Sequence, residues 1–169
     1  MSNWIKKFRV AYNILAKPTK VNITPIKVQI EPVNNCNLKC LSCCRANLVA
    51  QPSVMSFRNF TKIIDEVKPI YITLSGMGES LLNPEIDKMI NYCTDRGIFV
   101  SSITNGILLG QFYKKLCDAN LDQLTVSLDS ANKETYFKIR RSDYFDTIIS
   151  NIKKLIDYKE TNSSSKPCV

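Results

Sequence analysis

The sequence predicts an α/β fold built on parallel strands, and three observations carry that reading. From Ile26 onward, short β-branched runs alternate with helical apolar periods, the pattern of strands joined by crossover helices. Glycine and polar residues gather just past the carboxyl end of each strand. At 169 residues, with 44 % hydrophobic and 22 % charged, the chain is long enough for one core and ordinary for a globular domain.

Residues 1–24 read as an amphipathic helix and a linker. Trp4, Phe8, Tyr12 and Leu15 form an apolar stripe with basic residues on the other face. Such a helix is expected to pack across the bottom or edge of the sheet, a membrane-surface anchor being the alternative. Residues 25–158 form the βα domain, with strands at 26–30, 71–74, 99–103 and 124–128. Phe57, Phe60, Ile63, Ile64 and Val67 recur at helical spacing after a Ser56 cap, and Ile86, Met89, Ile90 and Cys93 do so after Asn83-Pro84. A third helix covers 112–119, and a fourth carries Ile148, Ile149, Ile152, Leu155 and Ile156. After Tyr158 the run Lys-Glu-Thr-Asn-Ser-Ser-Ser-Lys-Pro predicts a disordered tail over 159–169.

Composition excludes several function classes. No apolar run approaches the roughly 18 residues of a membrane span, and no secretory signal is legible, so a cytoplasmic chain is expected. Seven cysteines in a reducing compartment point to metal rather than to disulfides. Histidine is absent, so any metal must take thiolate, carboxylate or an added ligand, and much hydrolase chemistry drops out. The net charge of +8 is scattered, without a dense basic block interleaved with aromatics, and reads as a solvated basic surface rather than a nucleic-acid site.

Cys36, Cys40 and Cys43 stand in C-x3-C-x2-C spacing just past the first strand. So tight a loop can aim three sulfurs at three corners of a cubane and leave one iron open, whereas zinc sites usually join two separated pairs. A zinc site completed by Cys44 or a carboxylate is the alternative. Cys93 and Cys117 fall in helices as small apolar residues.

This loop resembles the hallmark of the radical S-adenosylmethionine (radical SAM) superfamily. The wording around it, Glu31-Pro before the loop and Leu81-Leu82-Asn83-Pro84 further on, is most similar to the SPASM/twitch-type peptide-maturase and cofactor-biosynthesis branch. The resemblance implies a partial (βα) barrel, a truncated TIM-like barrel with four parallel strands, holding a 4Fe-4S cluster and S-adenosylmethionine. The open iron would chelate the amino and carboxylate groups of S-adenosylmethionine, and reductive cleavage would yield a 5'-deoxyadenosyl radical that abstracts hydrogen from substrate. It implies that Ser75, Gly76, Met77, Gly78 and Glu79 receive the methionine amino group. Ser127 and Asp129 would lie near the ribose hydroxyls and the carboxylate, Arg140 against that carboxylate, and Thr104-Asn105-Gly106 would shape the cavity. An electron donor such as a flavodoxin or ferredoxin is implied as well. The bulky residue common before the third cysteine is here Ser42, so an adenine contact is lost or passes to Leu41. The family's fifth and sixth strands lie outside this sequence. A second polypeptide or self-association is therefore expected to complete the barrel, and a non-catalytic cluster-binding fragment or half of a split enzyme is the rival reading.

Overall fold

A computed structural model describes residues 3–21, 23–48 and 51–169. Four strands, β1 (Lys27–Ile30), β2 (Tyr71–Leu74), β3 (Phe99–Thr104) and β4 (Gln123–Val126), form one sheet in that order, every pairing parallel. The helices are α1 (Asn3–Ala16), a single turn α2 (Arg45–Leu48), α3 (Phe57–Val67), α4 (Ile86–Thr94), α5 (Leu109–Asp118), α6 (Lys133–Arg140) and α7 (Phe145–Thr161). The sheet is an open partial barrel with α/β connectivity.

Alternation along the strands fixes the two faces. Ile30, Ile72, Leu74, Val100 and Leu124 are buried with Phe60, Ile64, Ile86, Met89, Ile90, Leu116 and Leu155 from the crossover helices in one core. Residues of the other parity, such as Gln29, Thr73, Ser101 and Thr125, lie on the inner face, where Thr73 Oγ1 and Ser101 Oγ meet at 2.9 Å. On that face Phe99 and Ile103 remain exposed. Ser56 caps α3, its Oγ accepting from Asn59 N at 3.3 Å. The carbonyl oxygen of the Asn83 side chain accepts from Glu85 N at 2.9 Å just before α4.

Besides the unexpected turn α2 and a β4 that ends at Val126 instead of 128, the structure differs from the sequence reading in four larger features. α5 begins three residues earlier than expected, after the Gly106 turn. α6 was not expected; the Asn132 side chain caps it by accepting from Thr135 N at 3.0 Å. The stripe of α1 does not pack on the sheet: Trp4, Phe8, Tyr12 and Leu15 are all exposed, and the helix is instead held by Lys6 Nζ, which donates to Val67 O and Lys68 O at the end of α3. The segment expected to fray is docked. α7 continues to Thr161, Pro167 is buried, and Cys168 pairs with the outer edge of β4. Leu124 N donates to Cys168 O at 2.8 Å, Cys168 N donates to Asp122 O at 2.9 Å, and Lys166 Nζ pairs with Asp122 at 2.5 Å. The β4 edge is thus partly covered by residues 166–168, because those backbone groups need partners.

Removing residues 166–169 should therefore strip the partner from Leu124 N. Amide exchange is expected to accelerate at Leu124 while Ile72, in the sheet interior, stays protected; unchanged exchange at Leu124 would show that the docked end contributes nothing.

Candidate functional site

The carboxyl ends of all four strands open into one cavity of about 250 Å³. Cys36, Cys40 and Cys43 line it from the loop after β1, and Ser75, Gly76, Met77, Gly78 and Glu79 line it from the turn after β2. Thr104 and Asn105 come from the end of β3, Ser127 and Asp129 from beyond β4, and Arg140 from α6. Of the site residues predicted from sequence, all line this cavity except Gly106, which packs against Val126 and Ile148 instead. Ser42 lines the cavity as well, whereas exposed Leu41 does not. Cys44 is absent from the lining; its carbonyl accepts from Asn47 N in α2.

Glu79 organises the site. Its carboxylate is 2 % exposed and accepts from Thr104 Oγ1 and Asn105 N, both at 2.7 Å, and from Leu81 N at 3.1 Å. Burial pushes its pKa up, although the bonds from Asn105, Thr104 and Leu81 and the Arg140 charge act in the opposite direction. A carboxylate offers about four acceptor positions, and three are filled from within the protein. One position stays unfilled.

The turn that carries Glu79 is clamped to the cysteine loop. Glu79 N donates to Asn35 O at 2.8 Å, and Glu31 Oε1 accepts from Gly78 N at 3.2 Å and from Met77 N. A Cβ on Gly76 would lie 2.2 Å from Glu31 Oε1, and one on Gly78 would lie 2.0 Å from Val33 O. Gly78 is thus required by the close approach of the loop backbone, and Gly76 leaves room for the Glu31 side chain, where the sequence reading tied both to a ligand. Glu31 is the residue that reading missed as a participant. Its signal was its position as the last residue before the loop, at the end of β1.

Asn105 and Arg140 both reach the sulfurs. Asn105 Nδ2 donates to Asn37 Oδ1 at 2.7 Å and lies 3.8 Å from Cys36 Sγ, while Arg140 Nη1 donates to Cys40 Sγ at 3.4 Å. Arg140 Nη2 also donates to Ser127 O at 2.7 Å. Its Nε stands 2.6 Å from Asp129 Oδ2 but off the hydrogen-bond line, so the ion pair is real while the buried N–H lacks an aligned acceptor. Asp129 reaches it from a left-handed backbone position, φ +63°. Burial pushes the Cys36 thiol up. Cys93, wholly buried, is pushed up to about 12 by burial and is an inert core thiol; Cys117 is raised for the same reason.

The residues fit an iron-sulfur cluster with an amino-acid ligand beside it. Cys36, Cys40 and Cys43 line one cavity as three thiolates from a single loop, the donor set that reaches three corners of a cubane. Beside them, Arg140 Nε is a buried donor without an aligned acceptor, and the Glu79 carboxylate keeps one acceptor position unfilled.

An open parallel βα sheet with three cysteines at its carboxyl face defines a cluster-binding half barrel. The chain belongs to the radical SAM superfamily: the family described as "Radical SAM superfamily" matches residues 30–165. It is 36 % identical over 141 residues to a probable GTP 3',8-cyclase of Methanocaldococcus jannaschii, covering 79 % of this chain and 46 % of that protein. It is 38 % identical over 122 residues to the AdoMet-dependent heme synthase of Methanosarcina barkeri, covering 69 % of this chain and 34 % of that one. The structure of Streptococcus suis SuiB bound to S-adenosylmethionine shares the fold, with a TM-score of 0.64 at 20 % identity over 97 % of this chain and 45 % of that one. The chain spans less than half the length of these relatives.

Glu31→Ala should destabilise the apo chain by about 1–3 kcal/mol, the cost of leaving turn N–H groups without their acceptor. Glu31→Gln, which keeps one acceptor oxygen, should lose clearly less. Denaturant titration of the three proteins checks this, and equal midpoints would remove Glu31 from the clamp.

Proposed function

We propose that this chain is the cofactor-binding part of a radical SAM enzyme, ligating a 4Fe-4S cluster through Cys36, Cys40 and Cys43 and holding S-adenosylmethionine beside it. The observation that carries this reading is the convergence of all three cysteines and all four strand-end motifs on one cavity. When bound, the cluster supplies one electron for reductive cleavage of the sulfonium, and the resulting 5'-deoxyadenosyl radical takes hydrogen from substrate. The protein's own share is binding and orientation. Glu79 offers its last acceptor position to the ligand ammonium, and Arg140, poised between Cys40 and Asp129, offers its Nε–H to the carboxylate. Ser127 and Asp129 stand at the rim for the ribose hydroxyls. The N–H groups that Arg140 and Asn105 turn toward Cys40 and Cys36 would stabilise thiolate charge and so tune the cluster.

The setting belongs to the same proposal: a cytoplasmic protein, with a one-electron donor such as a flavodoxin or ferredoxin. No helix among the described residues is long and apolar enough to cross a membrane. The substrate class follows the motif wording around Glu31-Pro and Asn83-Pro84, that of peptide-modifying and cofactor-building members. A second reading, a cluster-binding half that turns over only with another polypeptide, is favoured by the inner sheet face, where Phe99 and Ile103 remain exposed. A cavity open to water positions a radical poorly.

Anaerobic reconstitution with iron and sulfide, followed by metal analysis and assay for 5'-deoxyadenosine, tests both readings. Cys36→Ala, Cys40→Ala and Cys43→Ala should each lose the cluster, and Cys44→Ala should retain it. Equal iron in the Cys40 and Cys44 variants, or zinc uptake in place of iron, would overturn the ligand assignment. A loaded cluster without 5'-deoxyadenosine would favour the second reading.

A further inference from the structure

The apolar side of α1 faces away from the fold that carries it. At 100° per residue, Trp4, Phe8, Tyr12 and Leu15 fall within an arc of about 80°, and they are 68 %, 67 %, 64 % and 83 % exposed. The opposite side makes the attachment: Lys6 is buried there, its Nζ donating to Lys68 O at 2.7 Å and Val67 O at 3.2 Å. Lys7 donates to Tyr71 Oη at 2.9 Å from one flank of the arc. The helix is thus fixed to the domain in the orientation that turns its four large apolar side chains outward. Side chains of this size standing together in water mark a contact surface.

Charge identifies the contact. Lys6, Lys7, Arg9, Lys17, Lys20 and Lys27 precede the first carboxylate of the chain, Glu31. Lys7 and Arg9 bracket the apolar arc, about 60° beyond its two edges on the same helical projection. All but Lys6 are exposed. A helix with Trp, Phe, Tyr and Leu along one line and cations on both flanks and beyond its end has the amphipathic pattern that settles in the plane of an anionic bilayer, rings at the acyl boundary and cations at the headgroups. Its 14 residues extend only about 21 Å, too short to span the roughly 30 Å hydrocarbon layer.

We propose that α1 is a peripheral membrane-docking helix that places the radical SAM domain on an anionic lipid surface, Trp4, Phe8, Tyr12 and Leu15 entering the interface. This inference is independent of the cofactor chemistry. A bilayer accounts for the flanking cations and the missing carboxylates together, whereas a protein groove would need only the apolar arc.

Trp4 is the only tryptophan in the chain, so its emission reports on the stripe directly. The whole chain should co-sediment with phosphatidylcholine vesicles containing phosphatidylglycerol, with a blue shift of Trp4, and should do neither with phosphatidylcholine alone. Added salt should weaken binding. Phe8→Glu with Leu15→Glu should reduce it by about tenfold or more, as removing apolar area of this size implies, without altering the far-UV circular dichroism or cluster loading, because both side chains stand in solvent. Absence of a blue shift with anionic vesicles, or equal binding to neutral ones, would overturn the proposal. A Trp4 already blue-shifted without lipid, with a mass that rises with concentration until Phe8→Glu abolishes the rise, would also overturn it by showing that a second copy covers the stripe.

Discussion

The site depends on one buried carboxylate. Glu79 sits in the turn after β2 and accepts from Thr104 and Asn105 at the end of β3, so two adjacent strands are joined at their carboxyl ends by charge-assisted bonds. Asn105 carries the connection onward to Asn37 in the cysteine loop. Burying a carboxylate costs several kcal/mol, while hydrogen bonds to a charged group return about 1.5–3 kcal/mol each. Burial pushes the Glu79 pKa up against the pull of these bonds. Without the carboxylate, Leu81 N and Asn105 N would be left without partners in a nearly dry place.

Around that carboxylate the loops are fitted with little clearance. Gly78 leaves no room for a side chain because the Val33 carbonyl presses against it, and a side chain at Gly76 would have to displace the Glu31 carboxylate from the turn. Arg140 holds the other side, spanning Ser127, Asp129 and Cys40 from a helix outside the sheet. The cavity is therefore assembled by protein contacts, and a cofactor entering it meets groups already oriented. Such preorganisation lowers the ordering cost of binding.

Much of this was legible in the sequence. Short β-branched runs between helical periods marked the four strands, and cysteine spacing with the strand-end polar residues pointed to the cavity where they meet. What was hidden depends on long-range partners. Nothing local in Lys-Glu-Thr-Asn-Ser-Ser-Ser-Lys-Pro announces that Cys168 will supply backbone bonds to β4, because an edge strand accepts almost any extended segment. The stripe of α1 was read as a core face because apolar periodicity shows which side is greasy and not what covers it; the deciding contact, Lys6 on the α3 carbonyls, is made by the polar side. Glu79 was legible as a site residue, but its three internal donors lie in the backbone and in a neighbouring strand, where sequence spacing has no reach.

The direct test is amide exchange at Leu81 and Asn105 in the apo chain, comparing the native protein with Glu79→Ala. If the carboxylate holds the strand ends together before any cofactor binds, both amides are protected in the native chain. In the variant they should exchange at least about tenfold faster, the loss of one charge-assisted bond, while the Ile72 amide in β2 keeps its protection. Equal protection of Leu81 and Asn105 in the two proteins would show that the strand ends are held in some other way and would contradict the account.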